Sequence, residues 1–172
     1  MKQIVTLALF ATTLAVSARA VTVGATAGYL VDGKTGYYTA HIAHQFKSAN
    51  PGIAHFAEFE IGYTHDSEGP ASLDIVPVMV NYRAEFAPTG KFGAYLGAGA
   101  GASRVKINVF SFSESDSAFS YQGFAGLTYK ATESTTLTLG ARYLWIGDAN
   151  LFGVAARVGD DVSLEAGVRI KF

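Results

Sequence analysis

The sequence predicts an all-β fold, a transmembrane antiparallel up-and-down β-barrel of eight strands. Three observations lead to it. Hydrophobic residues make up 49% of the chain and charged residues only 16%, which is lean for a water-facing exterior. The longest aliphatic run after residue 20, Ile75-Val76-Pro77-Val78-Met79-Val80, is too short to cross a bilayer as a helix. Apolar residues instead alternate with polar ones in segments of strand length, the period of a sheet with two unlike faces. A bilayer excludes unpaired backbone groups, so the spanning structure left is a closed barrel.

The N-terminus comes first. Lys2 supplies a positive start, residues 4–16 are mostly apolar, and Ala18-Arg19-Ala20 has the small residues of an export cleavage site. Residues 1–20 are therefore expected to be a signal peptide, and 21–172 a single barrel domain beginning at Val21. No cysteine follows the expected cleavage site, so no lipid anchor is expected there, and neither a disulfide framework nor a thiolate metal site is available. The chain carries 13 basic and 14 acidic side chains, and cleavage would remove only the basic Lys2 and Arg19. Nothing in that balance suggests a nucleic-acid partner.

Strands are expected at Val21–Val31, Tyr37–Phe46, Ile53–Thr64, Leu73–Phe86, Phe92–Ser103, Phe119–Lys130, Thr136–Trp145 and Val162–Phe172. The last is the clearest. Val162, Leu164, Ala166, Val168, Ile170 and Phe172 share one parity, while Ser163, Glu165, Gly167, Arg169 and Lys171 share the other. Short turns at 47–52, 87–91 and 131–135 are expected in the periplasm. Longer links at Asp66–Ser72, Val105–Ala118 and Ile146–Asp161 are expected outside, with Asp32-Gly33-Lys34-Thr35 as one short external turn. The apolar stretch Leu151–Val158 is read as an upward extension of the final hairpin beyond the membrane, since a ninth strand would break the even count.

Parity alone does not say which face meets lipid, and two features decide it. The charged parity is rich in glycine and threonine, as in Thr22, Gly24, Thr26 and Gly28, too sparse a coat for a water-facing exterior. It also balances itself: Glu58, Glu60, Glu85 and Glu165 stand against Arg83, Lys130, Arg142, Arg169 and Lys171, the expected interior charge network. Arg142 and Glu165 are expected at similar height on neighbouring strands, with Glu58 or Glu60 reaching across the lumen as the alternative partner. The apolar parity gathers aromatic residues at both strand ends. Tyr29, Tyr38, Tyr63, Tyr121, Tyr143 and Trp145 fall at the external end, and Phe46, Tyr82, Phe86, Phe92, Tyr129 and Phe172 at the periplasmic end. Two substitutions follow from this assignment: Leu139→Arg should be costly, and the inward Gly140→Ser much less so.

Tyr95-Leu96-Gly97-Ala98-Gly99-Ala100-Gly101, the run Tyr121–Tyr129 and the closing Gly167–Phe172 resemble the small outer-membrane barrels related to the transmembrane domain of outer membrane protein A, the OmpX-type proteins and the opacity proteins. The resemblance covers nearly the whole chain after residue 20. It implies residence in the bacterial outer membrane, contact with outer-membrane lipids including lipopolysaccharide, and a terminal Phe172 read as a signal by the barrel-assembly machinery. A chain closing on Phe172 is expected to lack the peptidoglycan-binding domain that follows some family barrels.

The search for chemistry yields little. His41 lies on the interior parity and His44 and His55 on the outer one, and none has metal-ligand spacing with supporting donors. His65-Asp66-Ser67-Glu68 is the one catalytic candidate, a histidine two residues before a serine with carboxylates at hand, similar to the His-x-Ser arrangement of a lipid A deacylase of this size. Loop composition alone also accounts for it. An eight-stranded barrel has room inside only for side chains, so a plugged or very narrow lumen is expected. The expected function is that of a monomeric, non-enzymatic barrel without cofactor or metal. It contributes to envelope integrity or meets an unknown surface partner through external loops, with a deacylase-like esterase and a narrow channel as alternatives. Val105–Ala118 is the expected contact loop, although Phe110 and Phe112 are expected to pack along the barrel rim.

Overall fold

Eight strands follow one another in the structure, a computed structural model: β1 (Val21–Leu30), β2 (Thr35–Phe46), β3 (Ile53–Glu68), β4 (Ala71–Phe86), β5 (Phe92–Val109), β6 (Phe112–Lys130), β7 (Thr135–Leu151) and β8 (Val154–Lys171). It describes residues 21–172 apart from 47, 49, 70, 87–90, 111 and 152–153, so the expected signal peptide lies outside the described residues. All neighbours are antiparallel, and β1 pairs with β8 from Thr22↔Lys171 to Leu30↔Ser163, closing the sheet into a barrel. Closure leaves the spanning part without a free edge, the condition for a sheet in lipid.

The alternation read from sequence sets the two faces. Val23, Ile42, Phe59, Val80, Leu127, Leu139, Leu164 and Ile170 point outward and are exposed, while Glu58, Glu60, Arg83, Arg142, Glu165 and Arg169 are buried inside. Aromatic residues cap the outward band. At one end Tyr38 pairs with Tyr63, and Tyr121 stacks on Trp145 with ring centroids 4.8 Å apart. At the other, Phe92 packs on Tyr129 at 5.1 Å, and Tyr82 stacks on His55 and donates or accepts a hydrogen bond at its Nδ1.

The longer links are where the structure departs from expectation. Residues 66–68, 71–72, 105–109, 112–118, 146–151 and 154–161 are strand, paired out to Glu68↔Ala71, Val109↔Phe112 and Leu151↔Val154. Leu151 and residues 154–158 thus belong to the β7–β8 hairpin, in keeping with the reading of this stretch as its extension. The periodicity persists above the outer aromatic band but its chemistry reverses. Ile75, Val105, Ala118, Leu144 and Ile146 now point inward and are buried, whereas Arg104, Lys106, Ser115, Ser117 and Asp148 point outward. Where water replaces lipid outside, burying each aliphatic side chain inside stabilises by about 1.5–3 kcal/mol. Leu30, Tyr37 and Met79 join these residues in an apolar cluster that lies across the external half of the lumen.

Two interruptions shape this external end. Pro77, which has no N–H to donate, lies opposite Gly62, and the β3–β4 ladder is broken between Ile61↔Val78 and Thr64↔Ile75. In the β7–β8 hairpin, Gly159 adopts a φ of 93°, a conformation open to glycine, beside a gap in pairing between Ile146↔Gly159 and Asp148↔Arg157. Above Ser120↔Ile146 no further β6–β7 pairs form among the described residues, and the two ribbons are tied by the Asn150 N–H donating to Asp116 Oδ2 at 2.7 Å.

Glycines on the inner face make room for large neighbours, and this corrects the expectation for Gly140. A Cβ at Gly140 would collide with the Tyr95 hydroxyl and with the Ala125 carbonyl oxygen, so Gly140→Ser cannot be the mild inward substitution expected. Gly97 serves the ring of Phe124 in the same way.

Candidate functional site: the charged lumen and the external hairpins

Below the apolar cluster, the lumen holds two tiers of charge. In the upper tier, Arg142 on β7 donates from Nε to Glu165 Oε1 at 2.6 Å and from Nη1 to Glu60 Oε1 at 2.6 Å. The strand neighbour and the cross-lumen carboxylate are therefore both its partners. Gln122 accepts from Arg142 at 2.6 Å and donates to Glu60 and to Asn81, and Ser163 donates to Glu165 at 2.8 Å. In the lower tier, Arg83 pairs with Glu85 at 2.8 Å, and Arg169 pairs with Glu85 and, at 3.3 Å, with Glu58. Aromatic faces complete the desolvated setting: Arg83 lies 3.8 Å over Tyr95, Arg169 4.7 Å over Phe56, and Arg142 5.1 Å over Phe124.

Seven of the nine residues expected in the network lie in these tiers. Lys130 and Lys171 do not: both are exposed and line the mouth at the short-turn end. Their parity is inward, but they are the last residues of β6 and β8, where the wall ends and a long side chain reaches water. Charge counting missed the neutral members Gln122, Asn81 and Ser163. Their inward parity was the available signal, but parity alone does not identify a hydrogen-bond partner across the lumen.

The catalytic candidate is built differently from its sequence reading. His65 lies on the outer face of the β3 extension, half exposed, with Nδ1 2.8 Å from Asp74 Oδ1 on β4. Tyr63 donates to the same carboxylate oxygen at 3.1 Å. Asp74 is thus the carboxylate that orients the ring. Ser67 shares the outer parity with His65 but forms no hydrogen bond with it among those found in the described residues, so this imidazole and hydroxyl are not joined as base and nucleophile. The hydrogen bond from His65 holds the Asp74 carboxyl below its ordinary value of 3.8, outweighing the opposing effect of burial. This contribution to stability is present above the unfolded value and is lost as pH falls through the lower folded one. His65→Ala is expected to move the Asp74 titration, followed by carboxyl-carbon NMR, upward toward 3.8; an unmoved titration would remove this assignment.

His41 is buried in the lumen, His44 is half-buried on the outer face beside Phe46, and no group of three potential metal ligands occurs among the described residues. At the tip of the β5–β6 hairpin, Phe110 is 81% exposed and Phe112 71% exposed. The expected packing along the rim is therefore not adopted, because β5 and β6 pair right up to Val109↔Phe112 and carry the tip away from the barrel wall. Phe110 also has a φ of 53°, uncommon and strained for a bulky residue.

Comparisons with known proteins agree with this architecture. No curated protein matches the chain. Among solved structures, Neisserial surface protein A is similar at a TM-score of 0.64 and 18% identity, covering 91% of this chain and 98% of that one. The attachment invasion locus protein Ail of Yersinia pestis follows at 0.58 and 18%, covering 89% and 97%. The outer membrane enzyme PagL is similar at 0.54 and 15%, covering 88% and 99%. These likenesses concern the fold. The profile of the outer membrane protein beta-barrel domain matches residues 6–172, and with the closed eight-stranded wall it establishes that this chain belongs to that family and resides in the bacterial outer membrane.

Proposed function

We propose that the protein is a non-enzymatic barrel that contributes to envelope integrity and meets a surface partner through its external hairpins. The observation that carries this reading is the β5–β6 hairpin, which holds two exposed phenylalanines on a continuously paired ribbon. Contact residues on a rigid scaffold lose less freedom on binding than those on a loose loop. Ail, one of the proteins sharing this fold, is named for attachment and invasion. The apolar cluster in the external half of the lumen argues against the channel alternative, because it sets aliphatic side chains across any water path. In this reading the barrel acts as a monomer among outer-membrane lipids, lipopolysaccharide included, and Phe172 is its recognition residue for the barrel-assembly machinery.

The test is deletion of the gene followed by detergent-sensitivity, lipid A and host-surface binding assays on one strain. Complementation with Phe110→Ser/Phe112→Ser is expected to restore detergent resistance but not surface binding. Full restoration of binding would remove the hairpin tip from the proposal. The esterase alternative draws on the fold shared with PagL and on the His65–Asp74 pair. Loss of acyl chains from lipid A, seen by mass spectrometry only in the expressing strain, would favour it.

Orientation has its own check. Cysteines placed at Ser113 or Ser115 are expected to react with an impermeant label on intact cells, and cysteines at Ser48 or Asn50 are not. The reverse pattern would put the hairpins in the periplasm.

A further inference from the structure

The two ends of the lumen are unlike. The external end holds a cavity of about 230 Å³ lined by aliphatic residues of the apolar cluster and by four aspartates, while the short-turn end opens into a cavity of about 390 Å³ that reaches the lower charge tier. Its wall carries Lys130 and Lys171, both exposed, and Arg169, 4% exposed, against Glu85 and Glu133. Glu85 is already engaged by Arg83 and Arg169, so its charge is compensated within the tier. Arg169 is not saturated: its buried Nε has no hydrogen-bond acceptor among the described residues. That N–H is shut off from the cavity and the two Nη groups are taken by Glu85 and Glu58, so Arg169 acts on the cavity through its positive charge. Ser134 and Thr136 add hydroxyl groups to the same wall, and Phe56 provides an apolar surface.

We propose that this mouth is a binding site for a small oxyanion group, a carboxylate or a phosphate, presented from the compartment it faces. Lys130 and Lys171 supply charged donors at the rim, Arg169 supplies positive charge at the floor, and Ser134 and Thr136 supply neutral donors between them. Because the apolar cluster sets aliphatic side chains across the lumen beyond the charge tiers, a group that enters this vestibule is held and not conducted. The expected orientation makes that compartment the periplasm, where carboxylates are offered by peptides and phosphates by lipid or glycan headgroups. Binding to purified protein does not depend on that orientation.

The experiment uses the full purified barrel in detergent micelles, titrated separately with inorganic phosphate and with N-acetylglycine as a peptide-carboxylate mimic, at constant ionic strength. Amide NMR shifts of Ser134 and Thr136 are the readout. Saturable shifts with either probe are expected, and the probe that binds tells a phosphorylated source from a peptide one. The double variant Lys130→Gln/Lys171→Gln changes only exposed side chains and is expected to weaken binding by about tenfold or more, the loss typical of charge-assisted hydrogen bonds. Glu133→Gln, which removes an acid from the same rim, is expected to tighten it. No saturable shift with either probe overturns the proposal. So does an affinity unchanged in the double lysine variant, or one that falls in Glu133→Gln.

Discussion

Arg142→Ala is expected to destabilise the barrel by about 3–5 kcal/mol, the cost of leaving buried charge without its partner. The residue is the shared donor for Glu60 and Glu165, both nearly fully buried, so its removal strands two carboxylates at once. Taking two further charges away should therefore recover stability. Arg142→Ala/Glu165→Ala is expected to unfold less easily than Arg142→Ala alone, and adding Glu60→Gln to the double variant should recover more. Denaturant unfolding in lipid vesicles measures each step. A coupling energy between Arg142 and Glu165 under about 0.5 kcal/mol, within ordinary additivity error, would mean that the 2.6 Å contact carries no specific energy. The expectation concerns the consequence of breaking the network. An intact buried ion pair need not be more stable than an apolar replacement, since desolvation offsets its attraction.

Leu139→Arg is expected to cost about 2–4 kcal/mol if the side chain lies near the bilayer midplane, because a guanidinium replaces an apolar group on the lipid face. Leu139 is 64% exposed on that face and pairs with Leu127 and Ala166. The informative comparison is Ser117→Arg, also outward and exposed but above the outer aromatic band, where water is the solvent and Arg104 is its paired neighbour. That change is expected to cost far less, with any penalty coming from the like charge. Equal penalties in the same vesicle unfolding assay would place both residues in one solvent and remove the reversal of face chemistry described for β5 and β6.

The sequence by itself determined the number of strands, the closed antiparallel barrel, and which parity of the spanning segments meets lipid. These follow from a local rule: side chains alternate across a strand, so one solvent on each side writes a period of two that can be read along the chain. In β8 that rule runs unbroken from Val162 to Lys171. It placed Arg142 and Glu165 on the inner face, and their proximity could be argued from neighbouring strands in a common register. The same rule stopped short at residues 105–118 and 146–161, because the expected pattern assumed lipid outside and these segments have water there. The apolar stretch 151–158 was legible as an extension of the final hairpin, but only the tertiary structure showed that β5 and β6 continue as well and that aliphatic residues there point inward. It also decided that Arg142 joins Glu60 across the lumen, that Asp74 and not a nearer carboxylate orients His65, that Gly140 is confined by Tyr95, and that Lys130 and Lys171 reach the mouth. The His65–Asp74 pair depends on the β3–β4 register and the two lysines on where the wall ends, while the contacts across the lumen depend on the shear and curvature of the closed sheet, which set how far one wall stands from the other; a local alternation carries no record of any of these.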